Sequence, residues 1–175
     1  MSARSSGAKW LASLAVDWNV NAGRPKSQMS LLLLRTTAYA NHSLSAFNPL
    51  RVALAVIYRV LVEWVLGIEI PAQTAVGPRL RVYHGQGIVV SPHAIIGADV
   101  SLRQGVTIGN RHSDFDCPVV EDGVDFGAYS AALGAIRIGV NAKIGAHAVV
   151  LISVPDGVTA VGNQARLLID EAHGA

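Results

Sequence analysis

The chain predicts an all-β fold, a left-handed parallel β-helix of hexapeptide repeats, with an α-helical N-terminal segment ahead of it. Three observations predict it. An apolar residue recurs at every sixth place: Ile70, Val76 and Val82; after a skip of two, Val90, Ile96, Leu102 and Ile108; after a loop, Val120, Phe126, Ala132, Ile138, Ile144 and Val150. Four places after each comes a second inward position, at Thr74, Leu80, Gln86, Ala94, Val100, Val106, Val124, Ser130, Ile136, Ala142, Ala148 and Val154, small or apolar except at Gln86. Glycine follows the first position at Gly77, Gly97, Gly109, Gly127, Gly139 and Gly145. A period of six is neither the 3.6 of a helix nor the alternation of a hairpin strand. It marks a parallel solenoid in which each hexad supplies a short strand and a turn. Three hexads close one triangular coil, so the twelve complete hexads predict about four coils around one column of Val and Ile.

The elements follow in order. Residues 1–28 are mixed in composition, with Trp10 and Trp18 as suggested anchors. A helix is expected from about Ser30 to Ala40, then a turn at Asn41, His42 and Ser43. The next helix has Asn48 as N-cap, Pro49 at its first position and Gly67 as its stop. These helices are expected to cap or flank the open first coil. The domain reading is a helical segment at 1–68, a solenoid at 69–166 broken by a loop at 110–118, and a tail at 167–175. The tail is expected to leave the solenoid after Pro155 and to turn back at Ala160–Asn163.

Composition narrows the function. The chain has 175 residues, of which 51% are hydrophobic and 15% charged, so part of its surface is expected to meet another surface. The formal net charge is +2 and no Lys/Arg run exceeds two residues, which excludes a nucleic-acid footprint. The single cysteine, Cys117, excludes an internal disulfide and fits a reducing, cytoplasmic setting. The first residues are interrupted by Asp17 and lack the apolar stretch of a signal peptide. Pro49 to Leu66 is apolar on nearly every face but contains Arg51, Arg59 and Glu63. Burying Arg59 and Glu63 at mid-bilayer would be costly, so a buried or membrane-surface helix is expected, with those two residues paired across one turn.

Among six histidines, His84 stands out. It is third in the hexad Val82-Tyr83-His84-Gly85-Gln86-Gly87, so it faces outward, and the glycine after it leaves room for a ligand. An imidazole can serve as a general base near neutral pH.

The motifs Glu69-Ile70-Pro71, His84-Gly-Gln-Gly-Ile-Val-Val90, Gly105-Val-Thr-Ile-Gly-Asn110, Cys117-Pro118 and Val149-Val-Leu-Ile-Ser-Val-Pro155 occur in that order. Over residues 68 to 166 the chain resembles the serine acetyltransferase family of hexapeptide acyltransferases, in particular its colanic-acid and exopolysaccharide branch. The stretch from Pro25-Lys26-Ser27-Gln28 to Arg35 is similar to that branch's helical N-terminus. The resemblance places a two-residue insertion at Ile88-Val89. It implies acetyl-CoA as cosubstrate, no metal, and a homotrimer with sites at the subunit boundaries. It implies His84 as general base and Glu69 as the carboxylate that orients it. It implies Gly109, Ala128 and Ala146 beside the pantetheine arm, and Lys143 near the nucleotide phosphates.

Departures from the serine enzymes bear on the acceptor. Their arginine–histidine pair at the loop's end is Asp116 and Cys117 here, and the aspartate before their catalytic histidine is Tyr83. A site for a zwitterion has lost its partners, and unpaired substrate charges are costly. The expected acceptor is therefore a saccharide hydroxyl, with Tyr83, His112, Asp116 and Cys117 around it. The apolar helices suit a lipid-linked acceptor and peripheral contact at the inner membrane face. The alternatives are a serine O-acetyltransferase feeding cysteine synthesis, a non-catalytic solenoid scaffold and a zinc lyase. The last needs three converging histidines, for which His84, His93 and His112 lack the spacing.

Overall fold

The computed structural model describes residues 3–162, with side chains from residue 12 onward. The tail at 167–175, Asn163 of the suggested turn and the side chain of Trp10 lie outside the described residues. The chain winds as a parallel β-solenoid whose strands stack into three sheets. Sheet 1 holds β1 (Ile68–Glu69), β4 (Ile88–Val90), β7 (Thr107–Gly109), β10 (Ala131–Leu133) and β13 (Val149–Val150). Sheet 2 holds β2 (Ala75–Val76), β5 (Ile95–Ile96), β8 (Val119–Val120) and β11 (Arg137–Ile138). Sheet 3 holds β3 (Arg81–Tyr83), β6 (Ser101–Arg103), β9 (Asp125–Phe126), β12 (Lys143–Ile144) and β14 (Thr159–Ala160). Sheets 1 and 3 thus have five rungs, and Val154 adds a fifth to sheet 2 by bridging to Ile138.

The hexad positions form the core. Val82, Val90, Leu102, Ile108, Val120, Phe126, Ile138 and Ile144 are all buried, as are Leu80, Val100, Val106 and Val124 at the second position. Each such side chain contributes about 1.5–3 kcal/mol by leaving water. The expected count of four coils was one short, because a rung forms at Ile68, ahead of the regular beat, and another at Thr159–Ala160, where a departing tail was expected. Gln86 is exposed, and the inward place falls to Ile88.

Register locates the insertions. Glu69 pairs with Val89, Ala75 with Ile95 and Arg81 with Ser101, each 20 residues on, whereas Val89 pairs with Thr107, 18 on. The two extra residues therefore sit in the turn His84–Gly87, not at Ile88-Val89, which are ordinary strand residues. Steps of 24, from Thr107 to Ala131 and from Ile95 to Val119, place six more in the 110–118 loop.

Helix α1 (Ala3–Val20) occupies a stretch with no recognisable apolar face, and α2 (Pro25–Ser43) begins before and ends after its expected bounds. The turn expected at Asn41–Ser43 is helical, and the chain reverses over residues 44–48 instead. What holds α1 is polar. Buried Asn21 accepts from Val82 N at 3.0 Å and donates to Leu80 O at 2.8 Å, and buried Asp17 accepts from Leu80 N at 3.2 Å. These groups bond the free edge of β3, which has no strand above it. Ser27 donates to Val82 O, and Arg35 donates to Val76 O and Gly77 O while pairing with Asp17. Trp18, suggested as an anchor, is half exposed.

Helix α3 (Pro49–Tyr58) starts as expected, with Leu50 N donating to the Asn48 side chain at 3.0 Å. It widens into a π-helix, Arg59–Val65, whose last bond runs from Leu66 N to Leu61 O. Gly67 then ends it with φ +65°. Tyr58 donates to Ile70 O at 2.6 Å, closing the top of sheet 1, and Arg59 pairs with Glu63 at 3.6 Å as expected. The outer side of this helix leaves Leu50, Val56, Leu61, Trp64 and Val65 exposed. Among the described residues no helix is long and apolar enough to cross a membrane.

At the corners, adjacent coils approach too closely for some side chains. A Cβ on Gly97 would lie 2.6 Å from Asp122 Oδ1 and 2.7 Å from the Glu121 carbonyl carbon, whereas one on Gly109 would meet only Leu133 at 3.7 Å. Gly97→Ala is expected to lose about 1–3 kcal/mol of stability, and Gly109→Ala less than about 1, measured by urea denaturation. Equal losses would refute this account of the corners.

Candidate active site

His84 lies at the corner between sheets 3 and 1. The extra residues there force a tight reversal: His84 has φ +59°, Gly85 φ +23° and Gly87 φ +72°. A Cβ at Gly85 would lie 2.6 Å from the tip of the Ile68 side chain and 3.1 Å from that of Val82, and its positive φ favours glycine there. Gln86 N donates to His84 O, and Gly87 N donates to Gly67 O at 2.7 Å. The left-handed backbone at His84 is strained by roughly 1–2 kcal/mol and holds an exposed imidazole outward at the edge of the first coil.

The same corner continues down the molecule. Gly105 N donates to Gln86 O, Tyr129 N to Gln104 O and His147 N to Ala128 O, each at 2.9 Å. Ala128 and Ala146 therefore lie one above the other beneath the His84 turn, with small side chains and accessible backbone. Tyr129 and His147 are also left-handed, and their rings stack at 5.2 Å. Lys143 is exposed on sheet 3, between Asp125 and Thr159 in the neighbouring coils.

Glu69 is exposed on β1, two residues beyond the carbonyl that closes the His84 turn. Neither its carboxylate nor the imidazole is hydrogen-bonded among the described residues. Glu69 stands between two pockets. One, of about 390 Å³, is also lined by Ser91, His93, Gly109, Asn110 and Asp114. The other, of about 240 Å³, lies under the π-helix and is lined by Tyr58, Arg59, Glu63 and Gln73. Burial pushes the Glu63 carboxyl up, Arg59 opposes this, and Glu69 adds to it.

The 110–118 loop sits at the opposite edge of sheet 1. Phe115 packs on His93 at 4.6 Å, and the Cys117 thiol lies 3.1 Å from Ser91 Oγ. Asp116 accepts from the backbone of Arg111 and Ser113 at 3.0 Å and of His112 at 2.8 Å. Desolvation pushes its carboxyl up, but those donors prevail and hold it below the ordinary carboxylate value. Asp116 and Cys117 thus hold the loop's shape, whereas Asp114 faces the larger pocket and His112 is exposed.

The structure brings His84, Tyr83, Ala128 and Ala146 to one corner, whereas Glu69, on the strand that follows the cap, lines its pockets with residues of the loop side and the π-helix and with none of that corner. It does not bring Gly109, His112, Asp116 or Cys117 there. A strand of three residues, about 10 Å, separates the two edges of sheet 1. Sequence reading missed Ser91, His93, Asn110 and Asp114, although counting one coil back from the loop points to Ser91–His93. It also missed Arg24 and Arg103, whose guanidinium carbons lie 4.2 and 5.3 Å from the centre of the Tyr83 ring. Arg103 had a signal in its hexad register, while Arg24 is placed by the helical cap. Among the described residues no three His, Cys, Asp or Glu side chains cluster to hold a metal.

Comparison with known proteins gives this geometry its class. No family model matches the chain. It is 42% identical over 117 residues to WcaB of Escherichia coli (strain K12), assigned as a colanic acid biosynthesis acetyltransferase, covering 66% of this chain and 72% of that one. The soybean serine acetyltransferase apoenzyme superposes with TM-score 0.77 and 31% identity, over 95% of this chain and 72% of that one. A serine acetyltransferase in complex with CoA gives TM-score 0.73 and 30% identity, over 94% and 72%. A solenoid with these corners and these relatives defines an acyltransferase. The chain belongs to the serine acetyltransferase family of hexapeptide-repeat acyltransferases, which takes in the colanic acid type. Its activity is that of an acetyltransferase.

Proposed function

We propose that this enzyme transfers acetyl from acetyl-CoA to a hydroxyl of a saccharide, an exopolysaccharide unit or its precursor, with His84 as general base. The observation that carries the reading is the outward, left-handed His84 at the head of the corner formed below by Ala128 and Ala146. The thioester lies along that corner. His84 takes the proton of the acceptor hydroxyl as its oxygen bonds to the thioester carbonyl carbon. The tetrahedral intermediate then breaks its C–S bond, and the imidazolium returns the proton to the leaving sulfur, so CoA departs as the thiol. Glu69 orients the imidazole and stabilises its charged form. Gly109 contributes to the pantetheine path, and Lys143 meets the phosphates.

The likeness to WcaB supports the saccharide, and so does Tyr83, which offers no carboxylate to the ammonium of serine. His84→Ala is expected to lower turnover by about 10²–10⁴-fold while CoA still binds. Free-thiol assays with acetyl-CoA should show transfer to a sugar panel and not to L-serine. Retained turnover in the variant removes the general base, and transfer to L-serine alone makes this a serine acetyltransferase.

A homotrimer completes the site. Outward residues of sheets 1 and 2 include exposed Val89, Ile95, Val119 and Val149, whereas sheet 3 presents Arg81, Ser101, Asp125 and Lys143. Apolar faces suit contact with neighbours, and a neighbour's loop would reach the His84 corner that its own loop cannot. Light scattering should return the mass of three chains; a monomer would sink this arrangement.

The exposed apolar side of α3 and the π-helix, with Arg51 and Arg59 beside it, suits an anionic lipid surface carrying the acceptor, at the cytoplasmic face. Co-sedimentation with phosphatidylglycerol vesicles should exceed that with phosphatidylcholine, and Trp64→Ser should reduce it. Equal sedimentation with both would exclude this contact.

A further inference from the structure

Tyr83 ends β3, and His84 follows it. Two guanidinium groups lie over the Tyr83 ring, Arg24 from the helical cap and Arg103 from the coil below, where it is the register partner of Tyr83. The two cations differ in how they are satisfied. Arg103 is paired with the Asp125 carboxylate and donates to Phe126 O at 2.8 Å. On the same face Arg79 and Arg81 share Asp99. Arg24 has no carboxylate within ion-pairing distance among the described residues. It donates to Val20 O at 3.2 Å and rests on the ring at 4.2 Å, half buried. A guanidinium has five N–H donors, so most of those on Arg24 remain available over the residue that precedes His84. A half-buried cation is best satisfied by an anion, and a planar guanidinium suits a carboxylate or a phosphate with two parallel hydrogen bonds.

With the coenzyme placed as proposed above, that anion does not come from its nucleotide phosphates. Lys143, the residue placed at the nucleotide phosphates, lies on sheet 3 three coil steps below Arg81, through Ser101 and Asp125. At about 4.8 Å per step that is roughly 14 Å down the molecule. Arg24 sits above the first coil, at the acceptor's end.

We propose that the acceptor is an anionic saccharide, whose carboxylate or phosphate is held by Arg24 against Tyr83 while its hydroxyl meets His84. The inference rests on the reading of this corner as a saccharide site. It adds the charge of the substrate, and a pair of positions, 24 and 83, that select it.

Kinetics with three acceptors test it: a glucuronate-containing oligosaccharide, UDP-glucose, and a neutral gluco-oligosaccharide. In the native enzyme kcat/KM for at least one anionic acceptor should exceed that for the neutral one by about tenfold or more. Arg24→Gln should reduce that ratio by about 10–100-fold, the range for a lost hydrogen bond to a charged group, chiefly through KM. Arg24→Lys should retain part of it. Whichever anionic acceptor shows the preference tells carboxylate from phosphate. A native ratio near one overturns the proposal, and this measurement needs no variant. An unchanged ratio in a folded Arg24→Gln enzyme also overturns it, while leaving the saccharide reading intact. No transfer to any sugar overturns the saccharide reading itself, and this inference with it.

Discussion

A parallel coil satisfies its backbone only through the coils above and below it, so the first coil is a set of unpaired edges unless something covers them. In this protein the cover is made of side chains. Asp17 and Asn21 bond Leu80 and Val82, Ser27 bonds Val82, Arg35 bonds Val76 and Gly77, and Tyr58 bonds Ile70. Each is worth about 0.5–1.5 kcal/mol as a bond, and more as the avoidance of a buried unpaired group. These contacts fix where the helices sit. Because Asn21 and Ser27 are tied to β3, Arg24 between them has to lie over Tyr83. Because Tyr58 is tied to Ile70, the π-helix brings Glu63 near Glu69.

The solenoid tolerates added residues only where strands are not stacked. Its register steps rise above 18 at two places only, both corners that flank sheet 1, and shorten to 16 in the last coil, from Ile138 to Val154 and from Lys143 to Thr159. The two-residue addition makes the His84 reversal, and the six-residue addition makes the loop tied down by Asp116, Phe115 and Cys117. Between them lies the outward row of sheet 1, in which Glu69 is followed by the small or apolar Val89, Thr107, Ala131 and Val149. The rigid core thus sets the spacing of two irregular features that cannot touch within one chain. A neighbouring copy is the natural way to join them.

The six-residue beat made the core legible residue by residue, because inward positions repeat with the coil and each must be apolar or small. The N-cap at Asn48, the stop at Gly67 and the Arg59–Glu63 pair were equally local and equally readable. Helix α1 was not, because its attachment is polar: Asp17 and Asn21 are buried against backbone, and no apolar periodicity announces that. The turn after α2 was misplaced because Asn41–Ser43 has turn chemistry, while Asn41 stays helical and accepts from Arg51. The outward position of His84 was legible from its phase in the hexad and the adjacent glycine. The insertion was misplaced by a few residues because Ile88 and Val89 look like strand in any register, and only strand pairing shows which residues are supernumerary. Asp116 and Cys117 were read as facing an acceptor, and the structure shows the Asp116 carboxylate engaged by the loop backbone and the Cys117 thiol by Ser91 and Asp114.

If His84 is the general base proposed above, these placements separate the reaction from the choice of acceptor. His84 is held by backbone: a left-handed residue, two glycines and a hydrogen bond to Gly67, all within the coil. The residues that would select the acceptor come from elsewhere, Arg24 from the cap and the loop from the far edge of sheet 1. A change in the cap or the loop can then alter the charge presented to the acceptor without moving the imidazole. The energies are unequal in the same sense. Substituting Gly85 would crowd Ile68 and Val82 and strain a backbone with positive φ, whereas a change at Arg24 removes one carbonyl contact and one ring contact at a half-buried position. On the proposed reading, selectivity would reside where substitution is tolerated, and the acid–base chemistry at a residue whose position is set by the turn's backbone.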